Sequence, residues 1–311
     1  MNRLIDCISE YTTIAVSGMC KNAGKTTVVN YLVREMYGKV SLGLTSIGYD
    51  GEEKDEITKL EKPRINVFPH MLAATCMDCL EKSTAGFRIL KKTGINTVLG
   101  EVVLLRVTKP GTMEISGPSV VSQITQLCND FRSLGCEKIL VDGSAGRVSF
   151  ASGLDCMILA VGAALNKDMD KVVKLAKFRD ELLSLPVCDT LNLPENSEES
   201  AYYAYQSEDI INFVFRGSVV DEDLIEIMRN HRGFEKRIIV NNSAALFITP
   251  GAFRKFLHRK GKICTRSGIN LVALTINPMS PYGKWFDKDK FLQEMKEKIN
   301  KPIFNVMEET E

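Results

Sequence analysis

The spacing of apolar positions along the chain switches repeatedly between a period of two and a period near 3.6, so short strands and helices are predicted to alternate. Thr13 to Ser17 (TIAVS) is an apolar run that enters a glycine-bearing loop, and Val28, Val29, Leu32, Val33 and Met36 then recur on one face of a predicted helix from Thr26 to about Met36. Gly38 ends that helix, and Val40 to Thr45 reads as a second strand. The polar, acidic stretch from Ser46 to Pro63 follows and reads as a mobile loop. Ile65 to Val67 predicts a short strand, and Met71 to Leu80 predicts a helix within a mixed segment running to Gly94.

Glu101 to Val107 and Met113 to Ser116 flank the turn sequence KPGT and predict a β-hairpin. Pro118 opens a long amphipathic helix from Ser119 to Leu134, and Gly135 closes it. Strands are expected at Lys138 to Asp142 and Cys156 to Val161, with a helix from about Asp168 to Leu183. The polar residues 189–209 read as an exposed connection. Beyond them, strands are expected at Ile211 to Phe215, Arg237 to Val240, Asn270 to Ile276 and Ile303 to Val306. Helices are expected at Asp221 to Met228, Pro250 to Lys260 and Lys288 to Lys298. This alternation predicts an α/β fold with a mostly parallel, doubly wound sheet. The expected division is a first α/β domain at 1–188 and a C-terminal α/β domain at 210–311.

Composition narrows the classes. The 311 residues carry a formal net charge of +1, with 44% hydrophobic and 25% charged, which suits a globular protein and gives no support to a nucleic-acid surface. No apolar run approaches the roughly 20 residues of a membrane span. The N-terminal MNRLIDCISEYTT has the acidic residues and broken apolar pattern that a secretory leader lacks. Nine scattered cysteines, an odd number, suit a reducing compartment, and a cytoplasmic location is expected.

The candidate chemistry lies in SGMCKNAGKTT, Ser17 to Thr27. A P-loop has four residues between its first glycine and its Gly-Lys pair; here five separate Gly18 from Gly24. The physical needs are still met, because a strand delivers the chain to a loop and a helix begins at Lys25, so backbone N–H groups can face an anion. Gly18, Lys21, Asn22, Ala23, Gly24, Lys25, Thr26 and Thr27 are the candidate nucleotide-binding residues. Lys25 is placed to meet the terminal phosphates and Thr26 to ligate Mg²⁺. Lys21 is either a nucleotide contact or a solvated loop lysine.

Asp142 ends the apolar strand KILVD, the position of a carboxylate that holds the Mg²⁺ shell. Asp50, in the acidic loop, is the candidate to orient water or substrate and to stand near the metal. Lys25 and Asp50 are thus the candidate catalytic residues. Glu101 is a further candidate to face the site, and Arg147 to touch a phosphate or a partner. Asn166-Lys167-Asp168-Met169-Asp170 follows a strand as Asn-Lys-x-Asp does in GTPases. Met169 stands where the acid belongs, so ATP is the expected nucleotide. Cys76 and Cys79 form one Cys-x-x-Cys pair with no second pair at zinc-site spacing, and Cys20 is expected to be a packing residue. The basic residues Arg254 to Lys262 read as a solvated face, and Trp285 as either a partner anchor or a residue packed on its own domain.

The five-residue insert resembles the loop of dethiobiotin synthetase. KNAGKTT resembles the accessory GTPases of molybdopterin guanine dinucleotide and the SIMIBI group of P-loop proteins. Lys21 is one position short of the signature lysine of that group's dimerising members. Over nearly its whole length the chain resembles the small P-loop subunit of the lysine 5,6-aminomutase reactivase. The resemblance rests on SGMCKNAGKTT, GLTSIGYDGEEKDE, LGEVVLLRVTKPGTMEISGPS, ILVDGSAGRVSFAS, LAVGAALNKDMD and TINPMSPYGKWFD. It implies ATP-driven repair of a mutase that uses adenosylcobalamin and pyridoxal phosphate, with a larger partner subunit resembling mismatch-repair ATPases. It also implies that Gly24, Lys25, Thr26 and Thr27 bind phosphate while Asp142 and Asp50 surround Mg²⁺. The alternative is a small-molecule ligase or kinase of the dethiobiotin synthetase type.

Overall fold

The computed structural model describes residues 3–48, 64–146, 148–188, 197–198, 212–230, 236–283 and 285–307. In chain order, β1 (Thr13–Gly18), α1 (Lys25–Met36) and β2 (Leu42–Ser46) come first, then β3 (Ile65–Val67), β4 (Leu72–Cys76) and the one-turn α2 (Met77–Leu80). The strands β5 (Gly86–Thr97), β6 (Gly100–Lys109) and β7 (Gly111–Met113) lead to α3 (Val121–Ser133), β8 (Lys138–Ala145), β9 (Cys156–Gly162) and α4 (Met169–Leu183). Next are β10 (Ser197–Glu198), β11 (Asn212–Phe215), β12 (Val219–Val220), α5 (Asp221–Asn230), β13 (Arg237–Val240) and β14 (Leu246–Phe247). The last elements are α6 (Pro250–His258), β15 (Lys262–Thr265), β16 (Leu271–Asn277), α7 (Lys288–Lys298) and β17 (Ile303–Phe304).

The architecture is α/β around a nine-stranded sheet in the order β17-β16-β9-β1-β8-β2-β4-β6-β5. Neighbours from β17 to β4 are parallel; β6 runs antiparallel to β4 and β5 antiparallel to β6. The central strands have no wet face: every residue of β1 and of β9 is buried. That explains their unbroken apolar runs, because a parallel strand is covered on both sides. α1 adds Val28, Val29, Leu32, Val33 and Met36 to the same core cluster as Ile14, Val16, Leu44, Leu140 and Ile158. Each such side chain contributes about 1.5–3 kcal/mol on burial.

The chain divides into two compact units, one of residues 1–177 and 271–311 and one of residues 178–270. The expected second domain at 210–311 is therefore divided. β16 and β17 belong to the nine-stranded sheet, where β16 pairs with β9 over Leu271 to Asn277. The second unit holds the parallel sheet β10-β11-β13-β15. In its core Phe213, Phe215, Ile238, Val240 and Ile263 pack with Leu224, Ile227, Phe253 and Phe256. Phe178 meets Phe253 edge to face, ring centres 5.5 Å apart.

Two other expectations are corrected. The hairpin is formed by β5 and β6, and Gly111 and Thr112 of KPGT, with Met113, instead form β7, which pairs with β3. Pro110 has no N–H to continue a ladder, so the chain leaves the sheet there. Met71 to Leu80 is a strand followed by a single helical turn; Leu72 to Cys76 are all buried between β2 and β6, and tertiary packing overrides the helix preference of Leu and Ala.

Candidate functional site

The carboxyl ends of the parallel strands bring the phosphate-loop candidates to the neighbourhood of Asp142. β1 ends at Gly18, and the Met19 N–H donates to Ala160 O at 3.0 Å, which ties the loop's start to β9. Asn22 (φ 59°) and Gly24 (φ 96°) then turn the backbone through the left-handed region, which Asn tolerates and Gly adopts freely. A Cβ on Gly24 would also lie 3.0 Å from the Asn277 Cβ. α1 begins at Lys25 with Gly24 as its N-cap and no acidic residue in its first turn. The positive end of the helix thus has neither a capping side chain nor a local carboxylate, which suits an incoming anion.

Lys25 is folded back across the loop. A Cβ on Gly18 would meet Lys25 Cγ at 2.8 Å, so the glycine makes room for the lysine stem. The ammonium donates to Gly143 O and stands 4.0 Å from Asp142 Oδ1, with both side chains mostly buried. Asp142 lies on β8 between β1 and β2, paired with Val16 and Ser46. Its carbonyl accepts from Ser46 Oγ at 3.0 Å and Ile47 N at 2.9 Å. Ser46 and Ile47, at the end of β2, are thus fixed beside Asp142. Thr26 is half-buried in the first turn of α1; Thr27 and Lys21 are exposed, and Ala23 is buried. Burial pushes the Cys20 thiol up to about 11, which disfavours the reactive thiolate and fits a packing role.

Asp50 and Arg147 lie outside the described residues. Glu101 is not part of this constellation. Its carboxylate accepts the Gly94 N–H at 2.9 Å and faces Lys92 at 4.0 Å, on the outer hairpin four strands from β1. Asn166-Lys167-Asp168 has a structural use: Asn166 Oδ1 accepts from Asp168 N, and Asp168 Oδ1 from Asp170 N, at the start of α4. Cys76 and Cys79 are buried free thiols, and Cys76 Sγ lies 3.1 Å from Thr97 Oγ1. Among the described residues no group of three or more His, Cys, Asp or Glu is arranged to hold a metal by itself. No helix among them is long and apolar enough to cross a membrane. Arg254 of the basic helix makes a two-pronged bond to Glu181 at 2.6 and 2.7 Å, and Trp285 is 67% exposed.

Asn277 is the participant that sequence reasoning missed. It ends β16, two strands from β1, and its Nδ2 donates to Asn22 O at 3.2 Å. Its carbonyl accepts the Ala163 N–H at 2.9 Å. Beside it, a Cβ on Gly162 would lie 2.7 Å from Ala23 Cα, so β9 and β16 together support the back of the loop. No signal near position 22 points to a residue 255 positions away.

No protein-family model, no curated protein and no solved structure matches this chain. The functional reading rests on the residues themselves.

Proposed function

We propose that the chain is a P-loop nucleoside triphosphatase that binds Mg-ATP between Gly18 and Thr27, and that it serves as the accessory subunit that reactivates an adenosylcobalamin-dependent aminomutase. The observation that carries the first part is the position of Lys25, whose ammonium is held by Gly143 O and by Asp142 beneath the uncapped start of α1. A lysine drawn against a carboxylate and a carbonyl is poised to exchange them for phosphate oxygens.

The residues fit the implied group. Gly18 and Gly24 keep Cβ atoms out of the cradle, the first N–H groups of α1 are available by helix geometry, and Thr26 and Asp142 supply the hard oxygen ligands that Mg²⁺ requires. Bound Mg²⁺ would neutralise charge on the terminal phosphates. In this reading Lys25 turns from Asp142 to the terminal phosphate, leaving that carboxylate to the metal's shell. Gly24, Thr26 and Thr27 orient the phosphates, and Asp50, four residues after β2 in the sequence, orients the attacking water. A cytoplasmic location belongs to the same reading.

The aminomutase client and the larger mismatch-repair-like partner subunit rest on the resemblance of the sequence blocks. The test is nucleotide-dependent capture from an extract of a lysine-fermenting anaerobe, using the full chain as bait. Recovery of the mutase or the larger subunit with ATP, and its loss without ATP, is the expected result. Recovery of neither, together with hydrolysis accelerated by a small metabolite, would replace the reactivase reading with a dethiobiotin synthetase-like ligase or kinase.

A further inference from the structure

We propose that the unit of residues 178–270 holds a second ligand site, in which Arg266 at the carboxyl end of the β11-β13-β15 sheet binds the oxyanion end of a small metabolite, a carboxylate or a phosphate. Open parallel sheets bind ligands beyond the carboxyl ends of their strands, where the loops diverge. Here Phe215 pairs with Val240, and Val240 with Thr265, so Arg216, Asn241 and Arg266 leave three adjacent strands at the same level. Neighbouring strands lie about 4.8 Å apart, which sets the two arginine backbones roughly 10 Å from each other across Asn241. The three exit segments, Arg216-Gly217-Ser218, Asn241 to Ala245 and Arg266-Ser267-Gly268, contain two arginines and no acidic residue.

Two of these segments are joined into a preset ledge. Arg266 N donates to Val240 O at 2.8 Å, Ser267 N to Asn241 O at 2.9 Å, and Ser267 Oγ to the same carbonyl at 3.0 Å. Asn242 Oδ1 accepts from Ala244 N at 3.0 Å and fixes the turn that carries Ser243. At this end of the sheet three buried polar atoms have no hydrogen-bond partner: Arg266 Nε, Ser243 Oγ and Thr265 Oγ1. Ser243 is 3% exposed and Thr265 2%. Buried polar groups are nearly always bonded, and a buried guanidinium N–H is among the costliest to leave unmade. A ligand oxygen would complete the Arg266 fork, whose planar geometry matches carboxylate and phosphate alike.

The test follows the Arg266 Nε–H resonance of the full chain by NMR during titration with inorganic phosphate and, separately, with acetate. The resonance is assigned by its disappearance in Arg266→Gln, or in Arg266→Lys if the first variant does not fold. A saturable shift that persists in Lys25→Ala is expected, because that variant removes phosphate binding at the nucleotide loop alone. Phosphate binding to folded Arg266→Gln, followed on the backbone amide of the neighbouring Ser267, should be weaker by about tenfold or more. A response to phosphate alone identifies a phosphate ligand, and a response to both anions a carboxylate-tolerant one. An Arg266 resonance that moves with neither anion, or one whose shift disappears in Lys25→Ala, overturns the proposal. Absence of nucleotide binding by the unaltered chain, with the Arg266 response intact, would instead count against the nucleotide reading alone.

Discussion

Gly162→Ala gives a quantitative test of the support behind the proposed phosphate loop. The added Cβ would lie 2.7 Å from Ala23 Cα and 3.3 Å from both Ala23 C and O, where ordinary contact begins at 3.4 Å. Ala23 must therefore retreat by 3.4 − 2.7 = 0.7 Å, and the atoms in the way are backbone, with no flexible side chain to swing aside. Ala23 is 2% exposed, and its neighbour Asn22 is bonded to Asn277, so the displacement passes into the cradle. Overpacking of this kind costs about 1–3 kcal/mol. Taken up by the nucleotide-competent loop, that strain corresponds to roughly 5- to 150-fold weaker Mg-ATP binding. Calorimetric titration gives the affinity and thermal melting reports the fold. Gly38→Ala is the control: its φ of +75° strains an alanine, yet nothing lies within 4 Å, so stability should drop by about 1–2 kcal/mol with nucleotide affinity unchanged. A folded Gly162→Ala protein with wild-type affinity would refute the packing argument.

Asp142→Asn should weaken Mg²⁺-dependent ATP binding by about tenfold while leaving metal-free nucleotide binding near wild type, as read by titration with and without chelator. Asn277→Ala removes the bond to Asn22 O and should cost about 1 kcal/mol, roughly fivefold in nucleotide affinity; an unchanged affinity would make Asn277 purely structural. Asp155 tests the sheet's other end. Burial pushes its carboxyl up, but hydrogen bonds from the N–H groups of Thr13 (2.8 Å) and Thr12 (3.0 Å) prevail and hold it below the ordinary 3.8. Its stabilisation is thus fully present above about pH 3.8 and lost as pH falls through the lower folded value. Asp155→Asn should lower stability at neutral pH and flatten that acid limb in pH-dependent denaturant melts.

The strand–loop–helix of Thr13 to Met36 and the strand that carries Asp142 were legible because their apolar periods are strong and their turn residues local, although β8 runs on to Ala145, past the expected end at Asp142. β5 was not. Its sequence GFRILKKTGINT lies on an outer edge, mostly exposed and interrupted by register shifts, so it lacks the alternation that marks a half-buried strand. β4 was misread because LAAT favours helix in isolation and is a strand only through its neighbours on both sides. The division of the chain was hidden for a similar reason: nothing within Leu271 to Asn277 says that it pairs with β9 rather than with β15, the strand just before it. Lys25 and Asp142 could be nominated from their motifs, whereas Asn277 and Gly162 act on the loop through contacts that exist only after the chain has folded.

The central claim is that Lys25 completes a triphosphate cradle at the start of α1. Calorimetric titration of the full chain and of Lys25→Ala with Mg-ATP tests it most directly. The account predicts saturable binding that the substitution weakens by roughly 10- to 150-fold, the scale of one charge-assisted contact to phosphate, with the melting curve preserved. Equal affinities for the two proteins, or no triphosphate binding by the unaltered chain, would contradict it.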